Sequence, residues 1–194
     1  MSDTYYVKTF GGLEITNDNV TVNIVELFGK QLVNLLQVLL FHSEKPVQKD
    51  ELIDILWPES KNPSSALKFS IFRLRAELNE IEFFKDKEVI VTTRKGYILN
   101  PNLDWNIDFV ELEKAYNQIN DGSELLDEKE FKTARKIFRL YQGFYASPSQ
   151  LHWILQKQEI FRQMYVKTMM RTSCYLYTQK RYDEMMLMNY QAVL

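Results

Sequence analysis

The sequence predicts an α+β amino-terminal half followed by an all-α carboxy-terminal half. Three observations carry this. Apolar residues between Tyr5 and Ile24 fall in short alternating runs, residues 63–81 repeat them at helical spacing just before a β-rich hairpin, and beyond Trp105 the strand signals give way to helical periods. With 194 residues, 45% hydrophobic and 26% charged, the chain can bury one good core or two small ones, and nothing in it suggests disorder.

Charge and composition exclude several functions. A net charge of −2 gives no global attraction to nucleic acid, so any DNA contact has to come from a local basic surface. No apolar run is long enough to cross a bilayer and no basic-then-apolar leader is present, so a cytoplasmic location without a membrane partner is expected. The single Cys174 has no disulfide partner, and Cys174, His42 and His152 stand too far apart in sequence to read as metal ligands. There is no phosphate-cradling glycine loop and no nucleophile motif, so neither catalysis nor a cofactor is expected.

In chain order, Val20, Val22 and Ile24 alternate at period two after Asn17-Asp18-Asn19, which suits a hairpin turn, and Gly11-Gly12 marks a bulge or bend. Leu32, Leu35, Leu36, Leu39 and Leu40 recur at helical spacing over residues 30–41, a first and mostly buried helix. Pro46-Val47 reads as a short extended piece. Residues 48–57 (QKDELIDILW) form a second helix with acids in its first turns and Leu52, Ile53 and Leu56 inward, ended by Pro58. The polar loop 58–64 then leads into residues 63–81, PSSALKFSIFRLRAELNEI, with Ser64 or Ser65 placed to cap the helix.

In that long helix, Leu67, Ile71, Leu74, Leu78 and Ile81 form one narrow buried stripe. Its outer face carries Ser65, Lys68, Phe69 and Phe72, with Arg73 toward one edge and Arg75 on the other flank. Basic residues precede the acids Glu77 and Glu80, opposite to the order the helix dipole favours, which points to a face kept for a partner. The plainer alternative is an Arg73–Glu77 pair one turn apart, with the phenylalanines serving a second core. Next come two β-rich arms, 89–93 and 97–99, joined by Arg94-Lys95-Gly96, where glycine permits a positive φ. A helix about 10–12 Å across fits the major groove, and an arginine on a neighbouring hairpin can reach the minor groove or phosphate. Together these features predict a DNA reader.

The phrases LFHSEKPVQKDELIDILWPES, ALKFSIFRLRAEL and VTTRKGYIL, in this order, resemble the OmpR/PhoB-type winged-helix DNA-binding domain, and more closely the bacterial antibiotic-regulatory (SARP) activators. The resemblance implies a winged helix-turn-helix domain over residues 1–103 and a bacterial transcriptional activator domain over 104–194. It implies that residues 64–78 are the recognition helix, in which Ser65, Lys68, Phe69 and Phe72 face bases or groove walls while Arg73 and Arg75 bind phosphate or brace the domain. Arg94 and Lys95 would sit on the wing, Arg94 entering the minor groove. Glu59, Ser60, Lys61 and Asn62 would lie in a loop that contacts polymerase. The chain departs from its relatives at Phe69 and Phe72, where polar residues are commoner: either thymine methyls are read by apolar contact or one ring turns into the protein. The implied partners are double-stranded DNA as direct repeats, RNA polymerase or a sigma factor, and a second copy through the helical half. The rival reading is a protein-interaction module on the same scaffold that does not read DNA.

In the second half, residues 101–105 read as a connector without strand character. Helices follow over 108–120 with Phe109, Leu112, Ala115, Tyr116 and Ile119 inward, ending at Asp121-Gly122, and over 127–142 with Asp127 and Glu130 as a capping box. After the Ser147-Pro148-Ser149 break a long helix spans about 151–179 and another begins at Tyr182. EFKTARKIFRLYQG and RYDEMMLMNYQAVL share a weak repeat that resembles tetratricopeptide (TPR) helix pairs, with Met185 where alanine is usual. Solenoids need a capping repeat, so a chain that stops inside an amphipathic helix is expected to be cut from a longer one. The methionines of this half, Met164, Met169, Met170, Met185, Met186 and Met188, could form an adaptable binding surface, but core filling between helices is the expectation.

Overall fold

The computed structural model describes residues 4–119, 125–143 and 152–191. They form two compact units, one of residues 4–8 and 12–106, the other of residues 9–11, 107–119, 125–143 and 152–191.

The first unit opens with β1 (Thr4–Lys8), β2 (Glu14–Asn17) and β3 (Val20–Asn23), paired antiparallel with Val7 opposite Ile15 and Ile15 opposite Val22. The two-residue period buries Tyr5, Val7 and Ile15 and leaves Tyr6 outside. Asp18 and Asn19 make the β2–β3 turn at φ of 52° and 110°, positions these two residue types tolerate better than most. A single turn, α1 (Ile24–Leu27), follows, starting at Ile24, which the sequence reading places at the end of the strand region, and running through residues to which it assigns no element. Its cap, Asn23, accepts the Val25 N–H at 3.1 Å.

The helix α2 (Lys30–Phe41) is apolar on nearly every side and is buried from Leu32 to Leu40. Around it pack α3 (Lys49–Leu56), with Leu52 and Leu56 buried and Ile53 half-buried, and α4 (Pro63–Asn79). In α4 the expected stripe is the buried one: Leu67, Ile71, Leu74 and Leu78, with Ile81 buried just past the helix end. The expected cap needs correction. Asn62 holds the N-cap position without a side-chain bond and Pro63 takes N1, where its missing N–H costs nothing, so Ser64 and Ser65 lie within the first turn. A 3-10 turn at Glu82–Phe84 brings Phe84 under Tyr5, ring centroids 4.9 Å apart, with Trp105 at 5.3 Å on the same ring.

A hairpin of β4 (Ile90–Thr92) and β5 (Tyr97–Leu99) follows, and Val47 joins it through a bridge to Tyr97 with N–H to O distances of 2.8 and 3.0 Å. The connector expected at 101–105 is in part a strand. β6 (Asp104–Ile107) adds to β1, giving the order β3-β2-β1-β6. The motif DWNI is short and polar, but Thr4 Oγ1 donates to Asp104 Oδ2 at 2.6 Å and Trp105 Nε1 to the Asn100 carbonyl at 2.9 Å, so neighbours supply what strand propensity lacks.

The second unit is helical: α5 (Asp108–Ile119), α6 (Glu128–Leu140), α7 (His152–Thr178) and α8 (Tyr182–Gln191), each packed on the next. All five expected inward residues of α5 are buried. Asp127 and Glu130 form the reciprocal capping box, each bond 2.7 Å. The expected breaks at 121–122 and 147–149 lie outside the described residues. Lys136 on α6 reaches Glu111 on α5 at 2.6 Å, and Phe131 stacks on Tyr175 of α7 at 4.9 Å. The methionines are not core fillers: Met170 and Met186 are 62% and 67% exposed, and Met164, Met169, Met185 and Met188 are half-buried. Branched and aromatic side chains such as Ile137, Phe161 and Leu176 occupy the interior instead.

Candidate nucleic-acid interface

Because the apolar stripe of α4 faces inward, its opposite side is presented to solvent. Ser65, Lys68, Phe69, Phe72 and Arg73 are all exposed. The two rings are 62% and 69% exposed, so of the two placements open to them neither turns into the protein. Arg73 Nη2 meets Glu77 Oε1 at 2.9 Å one turn on, an exposed pair that contributes little to stability and leaves the guanidinium at the surface. No acid stands between Asn62 and Ala76, so the charged groups on the first three turns of α4, Lys68 and Arg73, are both basic, in a chain of net charge −2.

Arg75 plays a different part. Its Nε and Nη2 both donate to the Ile90 carbonyl, at 3.1 and 2.8 Å, and Nη2 also reaches Thr92 Oγ1 at 2.8 Å. The side chain ties α4 to β4 and sets the distance between helix and hairpin. Its position on the flank of the sequence stripe is the signal that places it at this edge.

The hairpin tip is built by Thr93. The Thr93 N–H donates to the Gly96 carbonyl at 2.8 Å, and Thr93 Oγ1 accepts from the N–H groups of Lys95 and Gly96 at 3.2 Å each. This holds Arg94 and Lys95 exposed at the turn, and among the described residues neither side chain, nor that of Lys68, forms an ion pair. Gly96 is required twice over. Its φ is +147°, and a Cβ there would stand 1.8 Å from the Val47 carbonyl oxygen.

A groove that sequence reasoning missed runs between the last turns of α4 and residues 87–89, with Phe72, Arg75, Asn79, Lys87 and Val89 on its walls. It arises from the meeting of two elements that periodicity treats separately. The loop ahead of α4 is a tight turn in which the Ser60 N–H donates to the Trp57 carbonyl at 3.2 Å and Ser60 Oγ accepts from Asn62 N–H at 3.3 Å. Glu59, Lys61 and Asn62 are exposed there and Ser60 is half-buried. No described helix is long and apolar enough to cross a membrane.

Residues 25–99, from α1 to β5, match the family described as "Transcriptional regulatory protein, C terminal", and the match spans the helices and the hairpin of the winged-helix fold. Among solved structures the chain is similar to Mycobacterium tuberculosis EmbR in complex with a low-affinity phosphopeptide, at a TM-score of 0.68 and 16% identity over 94% of this chain and 47% of that one. The chain thus spans about half the length of the EmbR chain, and at this identity the likeness speaks for the fold: a winged helix followed by a helical region. The DNA-binding domain of Escherichia coli CadC is also similar, at a TM-score of 0.38 and 24% identity over 51% of this chain and 92% of that one. No curated protein matches the sequence.

Proposed function

We propose that the chain is a sequence-specific DNA-binding transcriptional regulator of the SARP type, acting as an activator, in which residues 1–103 read DNA and residues 104–194 couple that reading to partners. The observation that carries this is the outward face of α4, which bears Lys68 and Arg73 and no acid before Glu77, together with the exposed cations Arg94 and Lys95 of the hairpin tip. In this reading α4 lies in the major groove with Ser65 and Lys68 toward base edges, and Arg73 meets phosphate. Arg94 and Lys95 reach the backbone or the adjacent minor groove. Arg75 serves the interface by fixing the helix-to-wing distance. The exposed turn of Glu59, Ser60, Lys61 and Asn62 is the surface offered to RNA polymerase or a sigma factor, and the helical unit offers a face for a second copy on direct-repeat sites. Binding alone carries the function, and no catalytic step is invoked.

Selection from random-sequence duplex DNA at two salt concentrations tests the reading. An enriched motif with affinity falling steeply in salt, about 0.9 log units per log unit of salt for each phosphate contact, supports it. Absence of both favours the protein-interaction reading, which the exposed Phe69 and Phe72 would then serve.

A further inference from the structure

We infer that Phe69 and Phe72 form an apolar reading edge for the C5-methyl groups of thymines in the major groove, so that the chain's preferred sites carry thymines at fixed positions that it reads without hydrogen bonds. This rests on the DNA-binding reading above. A single exposed phenylalanine needs no explanation, but two, three residues apart and 62% and 69% exposed, form an apolar patch on a helix face whose other members, Ser65, Lys68 and Arg73, are polar. The patch has a charged frame. Lys68 lies beside it on the same helix, Arg94 and Lys95 stand on the hairpin, and none of the three is neutralised among the described residues.

That arrangement, apolar in the middle and cationic around it, is the complement of the major groove, where anionic phosphate rails border base edges. Along those edges the apolar feature is the thymine methyl; guanine, cytosine and adenine offer only donors and acceptors. A ring that replaced the hydration of guanine O6 or cytosine N4 would leave them unpaired, at a cost that disfavours such sites. The rings therefore select for thymine and against G·C pairs at the same time. Lys68, next to Phe69, remains free to take a guanine or a phosphate one step away.

The test uses the full chain and the duplex enriched by selection, resynthesised with deoxyuridine in place of thymidine at one position after another, which removes one methyl and nothing else. Loss of a read methyl is expected to weaken binding about fourfold, the effect of one buried methylene. The Phe69→Ala/Phe72→Ala variant is expected to bind the thymine duplex at least about tenfold more weakly. It should keep the parent's salt slope, since no phosphate contact is lost, and respond no further to deoxyuridine, the signature of a coupled pair. Because both rings are exposed, the variant should melt at the temperature of the parent. If a motif is enriched yet deoxyuridine is neutral everywhere, methyl reading is overturned while DNA binding stands. Equal deoxyuridine sensitivity in parent and double variant also overturns it, by assigning the methyls to other residues. If no motif is enriched and binding is independent of salt, the DNA reading fails and takes this inference with it.

Discussion

Arg75 grips the Ile90 carbonyl oxygen with two nitrogens, at 3.1 and 2.8 Å, so that the helix carrying the outward face and the hairpin carrying the cationic tip are held by one side chain. An exposed phosphate-binding arginine would be expected to be loose. This one is half-buried and its fork is already engaged. Lysine keeps the charge but not the planar fork. Arg75→Lys is therefore expected to cost about 1–2 kcal/mol of stability in urea denaturation and to lower DNA affinity without changing the salt slope. A slope lower by about one unit would instead make Arg75 a phosphate contact.

Gly96 sets the hairpin against the Val47 strand. A methyl group at 1.8 Å from a backbone carbonyl cannot be accommodated by a side-chain shift, because the clashing atom belongs to a bridge bonded in both directions. Gly96→Ala is expected to cost at least about 2 kcal/mol and to loosen the wing. Urea denaturation measures the loss, and hydrogen exchange at the Val47 and Tyr97 amides should accelerate together.

Asp108 organises the helical unit in a way the strand-and-helix periodicity does not show. Its carboxylate accepts from Thr9 N–H at 2.6 Å, Thr9 Oγ1 at 2.5 Å, Phe10 N–H at 3.0 Å and Phe109 N–H at 2.7 Å. It thereby anchors residues 9–11, whose Phe10 ring packs 5.2 Å from Tyr141 and 5.3 Å from Phe161. Burial pushes its pKa above the ordinary 3.8, against the pull of those four bonds. A raised folded value means that the protonated form favours the fold. The contribution is fully present below 3.8 and is lost as pH rises through the folded value. Asparagine offers one acceptor oxygen in place of two, so Asp108→Asn is expected to cost about 1–3 kcal/mol. The parent's advantage over the variant, measured by denaturation from about pH 3 to pH 7, should narrow as pH rises.

What was legible in the sequence follows from where the information lies. The α4 stripe, the α3 acids, the hairpin at 94–96 and the Asp127 box are local patterns, each readable from residues within a few positions of one another. β6 was illegible because DWNI becomes a strand only when Thr4, 100 residues away, meets Asp104. The anchoring of residues 9–11 was hidden for the same reason, since Asp108 lies 99 residues from Thr9. In the candidate interface, periodicity assigned Ser65, Lys68, Phe69, Phe72 and Arg73 to one face, but whether a ring on that face lies outward depends on what packs beside it. Arg75 shows the limit most directly: its helix flank was readable, its partners on β4 were not.

Lys68 and Arg94 separate two kinds of contact that a list of cations merges. Both are exposed and neither carries a partner whose loss would unsettle the fold, so alanine at either should shift stability by less than about 0.5 kcal/mol. Lys68 stands mid-face on α4, between Ser65 and Phe72, where a groove-bound helix meets base edges, whereas Arg94 sits on the turn built by Thr93. Arg94→Ala is expected to weaken binding to every duplex by a similar factor and to reduce the salt slope by about one unit. Lys68→Ala should weaken binding to the enriched motif by about tenfold while leaving affinity for unrelated duplex nearly unchanged, because a base contact contributes only where its base is present. Affinity of both variants for the motif and for a scrambled duplex, each across a salt series, decides the assignment. A uniform loss in Lys68→Ala would move Lys68 to the phosphate rail.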